Sequence, residues 1–364
     1  MSKLRLAVIG AGSWVNASHL PALAERGDVE FVAVCRRGAA ELGAVRDRWS
    51  FEVASEDYRD VLVVEPDIVI VASPTAYHFE HARAALEAGA HVLVEKPFTI
   101  SSADAWELDR VSERTGRHVV VSFGYNFKPV VLGARALLEA HGGIDVLGDI
   151  ESMSVTMSSG TRALLSNSGV YPKASAGMPP DSATWVEPAL SGGGYGQAQL
   201  SHALGAALYI TNLRASDVYA LISATGSGVE LNASLAVRYR GGGIGTVSGT
   251  SAHPGYWNER DLLHIRVVGS RAQLDVEFER DRVALHLDGR THEAPLAEGD
   301  GSYDCIGPPN ALADLALGRP VTNHAKAELG ARTVELLEAA YASARAGAPV
   351  GVGESIAIES VGEN

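Results

Sequence analysis

The sequence predicts two parts: an amino-terminal α/β domain with a doubly wound parallel sheet, and a carboxyl-terminal α+β domain with a large, mostly antiparallel open sheet. Three observations lead there. Apolar strand-like runs alternate with helical runs from residue 4 to about residue 124, which calls for parallel strands with helices on both faces. The first run breaks on a glycine turn, GAG at 10–12, as a buried strand entering a tight bend does. Beyond 124, strand-like runs follow one another through short Gly, Asp and Arg turns, the pattern of antiparallel neighbours. At 364 residues the chain also exceeds one ordinary core. The expected division is 1–124 and 125–364.

The elements follow in order. LRLAVIGAG (4–12) is a strand and its turn, and HLPALAER (19–26) reads as a helix. VEFVAVC (29–35), PDIVIVAS (66–73), HVLVEKP (91–97) and HVVVSFGY (118–125) are further strand-like runs. Between them lie FEHARAALEAGA, a helix stopping on Gly89, and a second helix near 101–115. YNFKP (125–129) leads into a helix near 129–140. Strands are then expected at 149–157, 216–223, 229–240, 243–250, 262–269, 272–279 and 282–289, with a closing amphipathic helix at 324–345. Residues 158–190 are rich in Gly, Ser and Pro and carry Tyr171 and Trp185, the composition of a lid or binding loop. His253, Tyr256 and Trp257 in SAHPGYWNER suit a cleft or a subunit contact.

In this alternating context GAGSWV (10–15) is a dinucleotide-binding turn, and the first domain a Rossmann fold. Gly10 and Gly12 permit the bend and the close approach of a pyrophosphate, with Ser13 and Trp14 opening the helix. The third glycine of the usual pattern is Val15, so helix and strand pack more loosely or at a tilt. At the end of the second strand, where a carboxylate would take ribose hydroxyls, stand Arg36 and Arg37. Guanidinium groups pair with a 2′-phosphate, which favours NADP(H), with NAD(H) the alternative.

Lys96 ends a parallel strand, at the edge where open α/β sheets bind ligands. Partly desolvated beside a cationic nicotinamide, its amine loses basicity and becomes a usable general acid or base. Pro97 fixes the backbone after it, and Glu95 is read as a supporting neighbour.

GAGSW with His19, SPTAYH (73–78), VLVEKPF (92–98) and GGG…H (192–202) together resemble the glucose–fructose oxidoreductase / inositol dehydrogenase family, Gfo/Idh/MocA, over essentially the whole chain. The resemblance implies a cis Lys96–Pro97 bond. It places Ser73, Pro74 and Thr75 at the nicotinamide–ribose end, His78 at the start of the next helix, and His19 near the pyrophosphate. It makes His202 the active-site histidine and asks for an aspartate one helical turn earlier, where this chain has Ala198. Without that carboxylate His202 is a weaker base, more often neutral. Lys96 then carries more of the proton transfer, with Tyr195 as an auxiliary acid. Gln197, Gln199, Asn126, Trp185 and Tyr195 are the remaining candidates for sugar hydroxyls and rings. Leu200, Leu204 and Leu208 form the core stripe of the helix that carries His202. The glycines before it are expected to let backbone pass close to nicotinamide and substrate. The resemblance also implies a homodimer or homotetramer through the open sheet.

A net charge of −14 argues against nucleic acid or an anionic membrane as partner. No window approaches the roughly 18 apolar residues of a spanning helix. With a strand opening at Leu4 there is no room for a signal peptide. Two cysteines, Cys35 and Cys305, imply no disulfide framework and a cytoplasmic location. No metal is expected. The expected activity is an NAD(P)-dependent oxidoreductase acting on CH–OH groups of a sugar, sugar derivative or cyclitol. The alternatives are a cofactor-retaining enzyme that uses transient oxidation for elimination, glycosidic cleavage or epimerisation, and a non-catalytic dinucleotide sensor.

Overall fold

The computed structural model describes residues 3–169, 181–223, 228–253 and 260–353. Tyr171, Tyr256 and Trp257 lie outside them. The first sheet holds β1 (Leu4–Ile9), β2 (Val29–Cys35), β3 (Val53–Ser55), β4 (Ile68–Val71), β5 (His91–Val94) and β6 (Val119–Val121). All pairings are parallel, in the order β3-β2-β1-β4-β5-β6. The strand order therefore reverses between β1 and β4, and ligands bind outside the carboxyl ends at such a point. β4 is Ile-Val-Ile-Val with all four residues buried, because helices cover both faces. β3, only three half-buried residues, was too short to show a period. The helix expected at 19–26 is His19–Ala24; a separate short helix, Ser13–Ala17, follows the glycine turn and breaks from it at Ser18, with Val15 buried at the third glycine position.

The second sheet holds β7 (Ile150–Ser158), β8 (Ala215–Ser223), β9 (Asn232–Tyr239), β10 (Ile244–Thr250), β11 (Leu262–Gly269), β12 (Ala272–Glu277), β13 (Arg282–Leu287), β14 (Arg290–Glu293) and β15 (Val350–Gly351). Its order is β14-β13-β12-β11-β7-β10-β9-β8-β15, antiparallel except between β7 and β10. β9 and β10 alternate buried and exposed residues, so one face is core and the other open. Helices Pro129–Glu139, Ser201–Thr211 and Ala327–Ala346 pack on the sheet. Tyr219, Leu221 and Ile244 are exposed.

The end of the chain returns to its beginning. Helix Gly307–Ala316, which the sequence reading missed, packs against β4, β5, β6 and helix His19–Ala24. Arg26–Asp314 at 2.7 Å and Arg319–Asp28 at 2.8 Å tie the same layers. Helix Ala327–Ala346 packs against both helix Ser102–Thr115 and β8. Residue 124 thus ends the run of parallel strands, while the packing of that layer continues into residues 307–346. Among the described residues no helix is long and apolar enough to cross a membrane.

Candidate active site

A cavity of about 1050 Å³ runs along the carboxyl ends of β1, β2, β4 and β5 and is walled opposite by residues from beyond β6. At Gly10, φ is +92° and a Cβ would sit 2.2 Å from the Ser73 nitrogen, so the β1 and β4 turns touch there and only glycine fits. Gly12 has no neighbouring atom nearer than 4.0 Å, and a side chain there would occupy the cavity itself. Gly12, Ser13 and Trp14 all line it. That side-chain-free cradle at a helix start fits a pyrophosphate. Farther along β2, Arg36 Nη1 donates to the Ala11 carbonyl at 2.9 Å, and the Arg37 guanidinium lies 5.6 Å from the Tyr77 ring centroid. Both arginines line the cavity.

Ser73, Pro74, Thr75 and His78 line the cavity after β4. The buried His78 ring bridges Ser73 O at 2.7 Å and Pro97 O at 2.9 Å, so it ties the β4 and β5 turns together. Glu95 sits in a buried network: His19 Nε2 lies 2.6 Å from its Oε1, Ser122 Oγ donates to the same atom at 2.7 Å, and the Lys96 N–H donates to Oε2 at 3.0 Å. Burial opposes its charge, but these hydrogen bonds and the His19 and Lys96 charges hold the carboxyl below its usual range. His19 is therefore a partner of Glu95 beneath β5, not a neighbour of the pyrophosphate, and it does not line the cavity. Cys305 Sγ, 3.0 Å from Ser122 Oγ, closes the network; burial raises its thiol to about 12.

Lys96 precedes a cis Pro97 and lines the cavity. Its Nζ donates to the Ala198 carbonyl at 2.9 Å and stands 5.7 Å from the Trp185 ring centroid. Burial lowers the amine from its ordinary value, against a weaker opposing pull from Glu95 and Asp261. The acceptor belongs to a widened π-helical turn, Gly196–Leu200, that runs into helix Ser201–Thr211, where a plain α-helix was expected. The reason lies behind it. Glu230 accepts from Gly194 N and Gly196 N, both at 2.8 Å, and from Tyr341 Oη at 2.6 Å, while Gln197 N donates to Tyr341 Oη at 3.2 Å. A Cβ on Gly193 would lie 2.3 Å from Tyr341 Oη, and one on Gly194 2.2 Å from Glu230 O. The glycine run is thus needed for close packing against Glu230 and Tyr341, while Gly193 also lines the cavity.

His202, 3% exposed, lines the cavity with its Nε2 3.5 Å from Tyr303 Oη and its Nδ1 unpartnered. Burial first, and the Lys96 charge second, hold it well below the usual histidine range. A buried lysine on a strand end, a histidine on a helix held neutral by burial and a glycine turn thus converge on one cavity.

The amino-terminal segment, residues 4–123, matches the model of an oxidoreductase family with an NAD-binding Rossmann fold, and residues 146–275 match the GFO/IDH/MocA C-terminal domain. The chain belongs to the GFO/IDH/MocA oxidoreductase family. D-glucoside 3-dehydrogenase of Escherichia coli (strain K12) is 35% identical over 127 residues, 35% of this chain and 36% of that protein. Matched stretches cover about a third to a half of the length of the first curated relatives. Among solved GFO/IDH/MocA-like folds, an oxidoreductase domain protein from Kribbella flavida superposes with TM-score 0.78 at 20% identity, covering 97% of this chain and 100% of that one. A levoglucosan dehydrogenase in complex with NADH and levoglucosan gives 0.77 at 20% identity, with the same coverage. At that identity the likeness is one of fold.

Against the other GFO/IDH/MocA expectations the cavity makes distinctions. Gln199 and Trp185 line it, as does Gln197, which is 2% exposed with an unpartnered Oε1. Two expected residues are corrected. Tyr195 is 0% exposed and outside the cavity, accepting from Ser159 Oγ at 3.3 Å and donating to Met157 O at 3.4 Å; burial raises its phenol, which makes it a core residue and a poor acid. Asn126 is equally buried and donates to Gly205 O and His324 O, linking elements rather than meeting a substrate. His253 bridges Ser158 and Arg260 O and does not line the cavity. The sequence reading missed Tyr303, Tyr125 and Asp261, which do. Tyr303 stacks on Trp14 with centroids 6.2 Å apart, and Tyr125 Oη donates to Asp261 Oδ2 at 3.4 Å. Tyr125 alone carried a signal, since it follows the end of β6 at the ligand-binding edge.

Proposed function

We propose that this chain transfers hydride between NAD(P) and a carbinol or ketone carbon of a sugar, sugar derivative or cyclitol. The observation that carries the reading is the Lys96 amine, buried in the cavity beside the glycine turn and depressed by that burial. When bound, the dinucleotide supplies the hydride acceptor or donor, and Gly12, Ser13, Trp14 and Thr75 would hold it. In the oxidative direction neutral Lys96 takes the hydroxyl proton. His202, uncharged, hydrogen-bonds the same oxygen as alkoxide character develops. Gln197 and Gln199 orient neighbouring hydroxyls, and Trp185 offers an apolar ring face. The names of relatives such as D-glucoside 3-dehydrogenase support a carbohydrate substrate. The test is a panel of sugars and cyclitols with NAD and with NADP, followed by the near-ultraviolet absorbance of reduced nicotinamide. Absence of turnover on every member with both cofactors refutes it.

Arg36 and Arg37 support NADP(H) as the preferred form. Replacing both by alanine raises KM for NADP at least about tenfold and leaves KM for NAD within about threefold, the signature of a lost charge-assisted pair. Equal shifts for both dinucleotides would mean that the arginines do not read the 2′-phosphate. The exposed sheet face bearing Tyr219, Leu221 and Ile244 is read as the contact between copies in a homodimer or homotetramer.

A further inference from the structure

Lysine is scarce in this chain, and Lys96 is placed unlike the others. The sequence holds five: Lys3, Lys96, Lys128, Lys173 and Lys326. Lys3 and Lys326 are exposed, Lys128 pairs with Asp304 at 2.6 Å, and Lys173 lies outside the described residues. Lys96 is part-buried in the wall of the large cavity. Its Nζ donates to the Ala198 carbonyl at 2.9 Å, a neutral amide acceptor, and the Trp185 ring centroid is 5.7 Å away. Burial lowers the amine from its ordinary value, with Glu95, Cys305 and Asp261 pulling the other way.

A desolvated amine that spends part of its time uncharged attacks carbonyl carbon, which an ammonium cannot do. One N–H held on the Ala198 carbonyl fixes the nitrogen at the cavity wall and leaves its lone pair for the attack. The cavity, about 1050 Å³, has room for a small carbonyl compound beside it. Gln197, Gln199 and Trp185 line the same space, and amides pair with hydroxyl groups. We propose that Lys96 is a covalent site for small hydroxyaldehydes and hydroxyketones, which it holds as an imine in the cavity. The nitrogen lone pair forms the C–N bond, the carbonyl π pair moves to oxygen, and both N–H protons leave with that oxygen as water. Nothing is oxidised or reduced, and protonation of the imine nitrogen restores a donor to the Ala198 carbonyl. This goes beyond hydride transfer and opposes it: the lone pair that would take a hydroxyl proton is consumed until water hydrolyses the bond.

Reductive trapping on the full-length protein tests it. The protein is incubated at neutral pH with glycolaldehyde, and separately with dihydroxyacetone, in the presence of cyanoborohydride. That reagent delivers hydride to the carbon of the protonated imine and leaves a stable secondary amine. Peptide mass spectrometry over time then gives the rate at each of the five lysines. Lys96 is expected to be alkylated about tenfold faster than any other, as a desolvated amine should be. The preference disappears when the chain is unfolded in guanidinium before the reagents are added. Labelling of Lys96 no faster than the other lysines overturns the proposal. So does a preference that survives unfolding, since the fold would then not be its cause. Turnover is read separately. Selective labelling without nicotinamide reduction on any sugar would sink the hydride-transfer reading and leave the imine site standing; turnover with Lys96 unlabelled would do the reverse.

Discussion

Replacing Lys96 with methionine lowers kcat by about three orders of magnitude while dinucleotide binding stays within a few-fold, the range for loss of a proton-transferring group. Methionine keeps most of the volume and the apolar stem, so the neighbouring turn is not asked to refill. The pH profile separates this role from a structural one. Oxidation needs the neutral amine, so the rate rises with pH and levels off below the ordinary lysine range, because burial has lowered the amine. Reduction needs the ammonium and falls through the same window. Lys96→Arg cannot lose its proton, so it fails in oxidation but retains more of the reductive rate. Profiles that keep the same limb in all three proteins would remove Lys96 from proton transfer.

Glu230→Ala is expected to cost about 4 kcal/mol, since it strands buried donors on Gly194, Gly196 and Tyr341 at about 1–3 kcal/mol each, partly relieved by relaxation. For a chain of this size that lowers Tm by on the order of 10 °C in a calorimetric scan. Tyr341→Phe removes one donor to Glu230 and the acceptor of the buried Gln197 N–H but leaves the two glycine contacts, so its loss is about 2 kcal/mol. The functional consequence comes through the widened turn. When the clamp opens, the Ala198 carbonyl no longer meets Lys96, and the oxidative pH limb moves along with the fall in kcat. A Tm loss without movement of that limb would make Glu230 purely structural.

Much of this was legible in the residues. Strands of both sheets were placed to within a few residues because burial on one or two faces imposes a period or an unbroken apolar run. β3, β14 and β15 escaped because two to four residues cannot carry one. Local motifs transmitted the glycine turn, Lys96 and His202, each tied to a strand end or helix start by its own neighbours. Side-chain direction was lost. Asn126 and Tyr195 were assigned by proximity to motif residues, yet Tyr125 meets the cavity while Asn126 points into the core. Asp261 and Tyr303 reach the site through pairings hundreds of atoms away in the chain, and no local pattern marks them. Ala198, noted as the missing carboxylate, turned out to matter through its backbone: the carbonyl at that position, exposed by the wide turn, is the acceptor of the Lys96 amine.

The return of helices Gly307–Ala316 and Ala327–Ala346 to the first sheet has a practical meaning for recombination. A chimera cut once near residue 124 would bring β4, β5 and β6 from one parent and the helix that covers them from another. The Arg26–Asp314 and Arg319–Asp28 pairs would be split between parents as well. Exchange of cofactor specificity by swapping the nucleotide half therefore requires a two-piece transplant, the leading segment together with residues 307–346, with strands β7 to β14 passing between them as an insert.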